Sequence, residues 1–483
     1  RHNIKMVSED VKRRYQNGSS ILQHSFPDTA NHDVTHNKNV NISGVPFIPK
    51  SLSSTIMIIG PPLFSWFYWY ACNSHGGSLM AAGSEVRTAI SQEGFGNFWS
   101  IIYSRTPSMS LYAVKLYCIW FLWQAILYAF LPGRIGIGQA TPAGHELPYN
   151  CNGLRVWILT HITAILLVKY GVVRASVIAN NWGAFFVVTN LAGFLFTVLV
   201  YIKAHVWPTH VEDRCFSGSL PYDLFMGIEH NPRIGEMFDF KLFFNGRPGI
   251  CAWTLINLSF AAKQYETFGF VSNSMILLNI LHAIYVLDFF YNEDWYLRTM
   301  DIAHDHFGFY LAWGDLVWLP FMYTIQSFYL SVHPVHLPVW ALLAVTFLAL
   351  GGYAIFRSVN HQKNIFRMAL KEKRTIKIWG RPAEYIPAKF TTTFGLEKES
   401  PLLCSGWWGV SRHFNYVGDL MGSLSYCLTC GFAHFLPYFY IWYMAILLVH
   451  RTYRDDIRCR QKYGEYWEEY CRRVPYKILP YVF

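Results

Sequence analysis

Charge is scarce in this sequence. Only 14% of its 483 residues are Asp, Glu, Lys or Arg, against roughly 25% in an ordinary soluble domain. Hydrophobic residues make up 53% and aromatics 18%, which excludes disorder, a state of chains poor in apolar residues. Ten cysteines in a chain this long exclude a disulfide-stapled miniprotein. There is no HExxH and no Cys/His set with zinc spacing, so no metal ligand is assigned. A dinucleotide fingerprint is missing too. Gly136 and Gly138 form a lone GxG without a strand or an acidic partner, so no Rossmann domain is expected. Convincing internal repeats are absent, against a transporter built from inverted halves.

What is present is apolar run after apolar run. A span needs roughly 17–25 residues to cross the hydrocarbon. Runs of that kind lie at 53–72, 108–131, 154–173, 183–203, 250–269, 274–292, 307–331 and 337–356, with 420–449 as one long or two short spans. The expected fold is an all-α polytopic membrane helix bundle of about eight to ten transmembrane helices, since backbone in lipid must satisfy its own hydrogen bonds. Residues 1–50 form a polar tail, expected to be flexible and without a secretory signal. Residues 51–356 form the membrane bundle, with 73–107 read as a Gly/Ser-rich loop and 204–249 as a re-entrant or loop segment. Residues 357–483 form a C-terminal part with the last span or spans and a basic tail. The excess of 40 Lys+Arg over 30 Asp+Glu sits between and after the spans. It therefore reads as positive-inside loops rather than a nucleic-acid surface.

Several polar clusters interrupt the apolar pattern. Glu229, Arg233, Asp239 and Lys241 abut a span, where ionisable groups are costly and tend to be paired or functional. Cys427 and Cys430 form a CxxC within an apolar stretch and are read as packing. His304 and His306 are two apart, a spacing that points ligands away from each other on a helix. Asp315 is the sharper residue, a carboxyl inside an apolar run. Burial keeps such a group protonated, which makes it a candidate proton donor or a paired helix contact. Tyr323 lies eight residues on, near the same face. Lys363 and Arg367 share a helix face and suit a phosphate, or else form a plain basic helix end. Arg412, Asn415, Tyr416 and Asp419 fit one polar helical face opening a span. Asp455, Cys459 and Tyr463, spaced by four, form another.

These segments resemble the sterol reductase family that includes the delta-14-sterol reductases and the C-terminal part of the lamin B receptor. The resemblance runs from about residue 50 to the end. It is carried by Gly227–Gly235, Phe238–Asn245, Gly246-Arg-Pro-Gly249, Thr254–Gln264, His304–Gly308, Asn360-His-Gln-Lys363, Leu403–Leu420 and Tyr463–Phe483. It implies an integral endoplasmic-reticulum enzyme that takes a sterol from the bilayer among membrane lipids, beside other sterol-pathway membrane enzymes. The family branch it is most similar to reduces the C7–C8 double bond of delta-5,7 sterols with NADPH, the last step of sterol biosynthesis. The NADPH-contacting positions it implies are Lys363, Arg367, Leu403, Trp408, Asn415, Tyr416, Asp455, Cys459, Arg460, Gln461, Lys462, Tyr463 and Tyr470. Lys363, Arg367, Arg412 and Lys462 would hold cofactor phosphates through charge-assisted bonds. The acid side is assigned to Asp315 and Tyr323, with Glu229 and Asp305 in support. Delta-14-sterol reduction is the nearest rival. Those enzymes usually carry DGFGF where this chain has Asp305-His-Phe-Gly-Phe309. An isoprenylcysteine-type membrane methyltransferase and a non-enzymatic sterol receptor are remoter readings.

Overall fold

The structure, a computed structural model, describes residues 49–391 and 397–483. The expectation of a polar tail over 1–50 therefore falls almost wholly outside the described residues. The rest is mainly helical. The helices that frame the molecule are α1 (Lys50–His75), α2 (Leu111–Phe130), α3 (Gly153–Lys169), α4 (Trp182–Val206), α5 (Cys251–Phe268), α6 (Asn273–Tyr291), α7 (Val339–Lys371), α8 (Asn415–Leu428) and α9 (Phe439–Tyr463), followed by the shorter α10 (Glu465–Arg473). Four of them, α2, α4, α6 and α7, are long and apolar enough to cross a membrane by length and composition. Their outer faces stay apolar. On α7, Trp340, Leu343, Phe347 and Leu350 form an exposed stripe, a surface that water would not tolerate but hydrocarbon would. The polytopic helical architecture expected from the sequence is thus the observed one.

Two expectations change and a third is narrowed to one of its alternatives. Residues 73–107 are not a loop: Leu79–Glu93 and Phe98–Arg105 are helical, and Ser78 caps the first by accepting from the Ala81 amide at 3.2 Å. The run 307–331 is broken into Phe309–Trp313, a π-turn at Gly314–Trp318, Leu319–Met322 and Ile325–Val332. The run 420–449 resolves into α8 and α9, separated near Gly431, whose φ is +64°. A fourth expectation holds, because Cys427 and Cys430 are both fully buried in the main core. The segment 204–249 is a looped region with two short α-helices, Leu220–Met226 and Phe240–Phe244, the second running into a π-turn that begins at Asn245. It is tied down by Lys203 to Glu229 at 2.9 Å and Arg233 to Asp239 at 3.1 Å.

Helices α7 and α8 cross at a glycine notch. A Cβ on Gly418 would lie 2.5 Å from the Gly352 carbonyl oxygen and 2.7 Å from the Phe356 amide nitrogen. Both are backbone atoms and cannot swing aside. Gly418→Val is therefore expected to destabilise the fold by about 1–3 kcal/mol or more through overpacking. Thermal melting in detergent should fall clearly for Gly418→Val and less for Gly418→Ala. An unchanged melting temperature for both would refute the notch.

An antiparallel strand pair, β1 (Tyr385–Thr391) with β2 (Glu397–Leu403), lies beyond α7 and was not anticipated from sequence. Its inner residues join two small cores. Leu403 packs with Val359, Phe366, Ile378 and Trp408, and Ile386 packs with Cys459, Trp467 and Tyr470. The strands thereby bracket the ends of α7, α9 and α10.

Candidate functional site

The first part of the site forms where α7 and α9 run past the apolar region. Lys363 and Arg367 sit one turn apart on α7. The Lys363 ammonium lies 3.9 Å from the Trp408 ring centre, a cation–π contact. Trp408 is fixed by its indole N–H donating to the Val359 carbonyl at 3.0 Å and by its own carbonyl accepting from the Tyr470 hydroxyl at 3.3 Å. Arg367 lines a cleft of about 380 Å³ with Lys371, Tyr385, Glu399 and Ser400. Tyr463 closes on that cleft by donating to Ser400 Oγ at 3.3 Å. Asp455 faces Nε2 of His413 at 3.6 Å and pairs with Arg458 at 2.6 Å. His413 stacks on Tyr416 at 5.0 Å. Burial pushes the His413 imidazole down to about 4, with Asp455 opposing the shift. The ring is therefore neutral at neutral pH.

Not every expected residue joins this cluster. Arg412 is not on the polar helix face proposed from spacing. It precedes α8 in a turn whose amide donates to the Tyr476 carbonyl at 3.0 Å, and its guanidinium lies 5.9 Å from the Trp467 ring. The helix begins only at Asn415, so Asn415, Tyr416 and Asp419 keep the spacing and Arg412 does not. Arg460 points outward to Asp456 at 3.3 Å, and Gln461 is exposed. Lys462 lies over Phe390 at 4.1 Å. Leu403 and Cys459 are buried in the two small cores. One observation speaks for a ligand: the side-chain oxygen Oδ1 of Asn415 is buried and has no partner. With neither Lys363 nor Arg367 held in an ion pair among the described residues, and aromatic rings at Trp408 and Tyr416, the donor set fits an anionic nucleotide.

The second part lies deeper. Two π-turns, Asn245–Ile250 and Gly314–Trp318, face each other. A Cβ on Gly249 would lie 2.9 Å from the Asp315 carbonyl oxygen, so only glycine permits the approach. The first π-turn contains Pro248, which cannot donate to the helical ladder, and the extra residue in each turn re-aims the side chains. The result is that Asn245 donates to Oδ1 of Asp315 at 3.1 Å, while Oδ2 of Asp315 is buried and unpartnered. Asp315 is 6% exposed. Tyr323 stands against the rings of Trp253, Tyr440 and Tyr443 at 5.4, 5.1 and 5.9 Å. Glu229 is elsewhere. Its carboxylate is filled by the Lys203 ammonium and the Thr209 amide, which suits an anchor of the 204–249 loop better than an acid. Burial lowers His304 to about 4, aided by nearby Arg458.

Ion pairs that sequence reading missed join the two parts. Asp301 takes Arg451 of α9 at 2.9 Å, and Asp305 takes Arg454 at 2.6 Å. Burial raises the Asp305 carboxyl, against the pull of Arg454. Lys241 donates to the carbonyls of Ile302 and Asp305 at 2.6 and 2.7 Å. The segment leading into Asp315 is thereby fastened to the helix that carries Asp455, Cys459 and Tyr463. The available signal was the placement of Arg451 and Arg454 three apart on one helix, pointing to a partner far off in sequence.

Comparison with known proteins bears on this arrangement. The family described as the Ergosterol biosynthesis ERG4/ERG24 family matches residues 50–483. A Danio rerio protein named 7-dehydrocholesterol reductase is 50% identical over 394 residues, covering 79% of this chain and 82% of that protein. One of the same name from Xenopus laevis is 46% identical over 446 residues, covering 90% and 92%. A protein named Delta(14)-sterol reductase from Methylotuvimicrobium alcaliphilum is 41% identical over 433 residues, covering 89% and 94%.

Proposed function

Because this chain belongs to the Ergosterol biosynthesis ERG4/ERG24 family, we propose that it is a sterol reductase that reduces the C7–C8 double bond of 7-dehydrocholesterol. The observation that carries the reading is the pairing of an unpartnered buried carboxyl at Asp315 with a cation-bearing nucleotide cluster on a shared helix frame. NADPH is the reductant we assign, held by Lys363, Arg367, Asn415, Tyr416, Asp455, Tyr463 and Tyr470. When bound, it supplies a hydride.

The chain's own residues supply the rest. The unactivated diene of a delta-5,7 sterol takes a hydride only once one of its carbons is protonated. Asp315 carries that proton on Oδ2, the oxygen with no partner, while Asn245 fixes Oδ1 and so sets the direction of transfer. Tyr323 and its aromatic neighbours wall the sterol and keep water from the cation that protonation creates. The substrate enters sideways from the bilayer, and the endoplasmic-reticulum membrane is the compartment we assign.

Microsomes holding the full chain, fed 7-dehydrocholesterol and NADPH, should yield cholesterol, two hydrogens heavier by mass. No product alongside an active control overturns the proposal. The relative named Delta(14)-sterol reductase favours a second reading, reduction of a C14–C15 double bond. The same microsomes given a delta-14 sterol decide between the two.

A further inference from the structure

The segment that follows α7 has no part in the reaction above, yet it is built in an unusual way. The exposed apolar stripe of α7 ends near Tyr353. There the Tyr353 hydroxyl and the Arg357 Nε–H both donate to Oδ1 of Asp288 on α6, each at 2.7 Å. Charge appearing at Arg357 marks the edge of the apolar slab. The helix nevertheless continues to Lys371, 371 − 357 = 14 residues further, or about 21 Å at the helical rise.

The chain then returns. Lys377–Ile378 pairs antiparallel with Arg381–Pro382. Ile378 is buried beside Val359 and Trp408. The Trp379 indole stands edge-on to Trp407 at 5.1 Å, and the Trp407 indole N–H donates to Ser358 Oγ at 2.9 Å. Ser358 adjoins Arg357. The hairpin thus travels back along α7 and delivers an indole to the level at which the helix left the apolar slab.

That indole is placed against local preference. Trp379 has φ +50° and Gly380 has φ +79°. Two successive positive φ values make a turn that favours Asn-Gly, and a bulky first residue there is disfavoured. Trp379 nevertheless leaves 59% of its surface open. Lys377 and Arg381 flank it, both exposed, and Lys373 and Arg374 stand just before it. Of these four, Arg374 is matched by Glu372. Trp prefers the headgroup zone of a bilayer, and a juxtamembrane set of cations is drawn to an anionic leaflet.

We propose that the Lys377–Pro382 hairpin is a docking surface for anionic phospholipid headgroups of the leaflet from which α7 emerges. Trp379 enters the interface and Lys377 and Arg381 close on the headgroup phosphate and carboxylate. The occupant is a lipid rather than a soluble phosphate, because the cations surround an exposed indole at membrane level rather than a closed pocket.

Native mass spectrometry of the full chain, titrated with phosphatidylserine or phosphatidylcholine, tests this. The native chain should retain phosphatidylserine in preference. Lys377→Glu with Arg381→Glu should weaken phosphatidylserine binding about tenfold or more and leave phosphatidylcholine uptake unchanged. Lys377→Arg with Arg381→Lys should keep the preference. If the reversed variant fails to purify, Lys377→Gln with Arg381→Gln gives the same reading at lower amplitude. The proposal is overturned if a charge-removed variant retains the preference, or if inorganic phosphate at equal concentration displaces the lipid.

Discussion

Asp315→Asn is expected to lower sterol turnover by about 10²–10⁴-fold, the range lost when a positioned acid is removed. The substitution keeps the shape of the side chain. An amide oxygen at Oδ1 still accepts from Asn245, so the facing π-turns survive. What disappears is the proton at the second position, where the native carboxyl has no partner. The loss should fall on kcat, while the KM values for sterol and NADPH stay within about twofold, because the acid acts in the transition state rather than in binding. Cofactor affinity measured by nucleotide fluorescence should be unchanged. Retained kcat would move the acid elsewhere. Tyr323→Phe is the companion measurement, since Tyr323 is the other acid candidate that the sequence offers.

The second large effect concerns Arg451. Its guanidinium takes both oxygens of Asp301, at 3.0 and 2.9 Å, and Asp301 is largely shielded. Arg451→Ala strands that carboxylate, and breaking a buried pair from one side costs about 3–5 kcal/mol. A melting temperature well below that of the native chain, together with weakened NADPH binding, is the expected result. Asp301→Arg combined with Arg451→Asp should recover part of both losses, because the pair is restored with its ends exchanged. If the double variant is no better than either single one, the pair does not fasten the two halves of the site.

Local periodicity made much of this legible. Lys363 with Arg367, and Asp455 with Cys459 and Tyr463, stand on the helix faces that their spacing indicated. The isolated position of Asp315 in an apolar run marked a buried carboxyl, and it is buried. The failures have a common cause, interactions distant in sequence. Nothing near Gly314 announces a π-turn. It arises because Gly249 and Asp315 approach across the bundle. Arg412 has the spacing of a helical face but is held in a turn by a carbonyl at Tyr476. The strand pair Tyr385–Thr391 with Glu397–Leu403 exists because its residues complete two small cores, and alternation alone did not reveal it. Glu229 looked like a functional acid because its partner, Lys203, lies across a loop.

The long-distance ion pairs also set an order for making the protein. A ribosome delivers this chain from its N-terminus, so the earlier member of each such pair is made before its mate exists. Arg247 waits 46 residues for Glu293. Asp301 waits 150 residues for Arg451, and Asp305 waits 149 for Arg454. Until α9 emerges, Asp301 and Asp305 lack their ion-pair partners and must remain hydrated or be shielded by other groups. A nascent chain halted before residue 451 would therefore carry a polar flaw that quality-control machinery can recognise. The finished enzyme erases that mark only when its last long helix arrives.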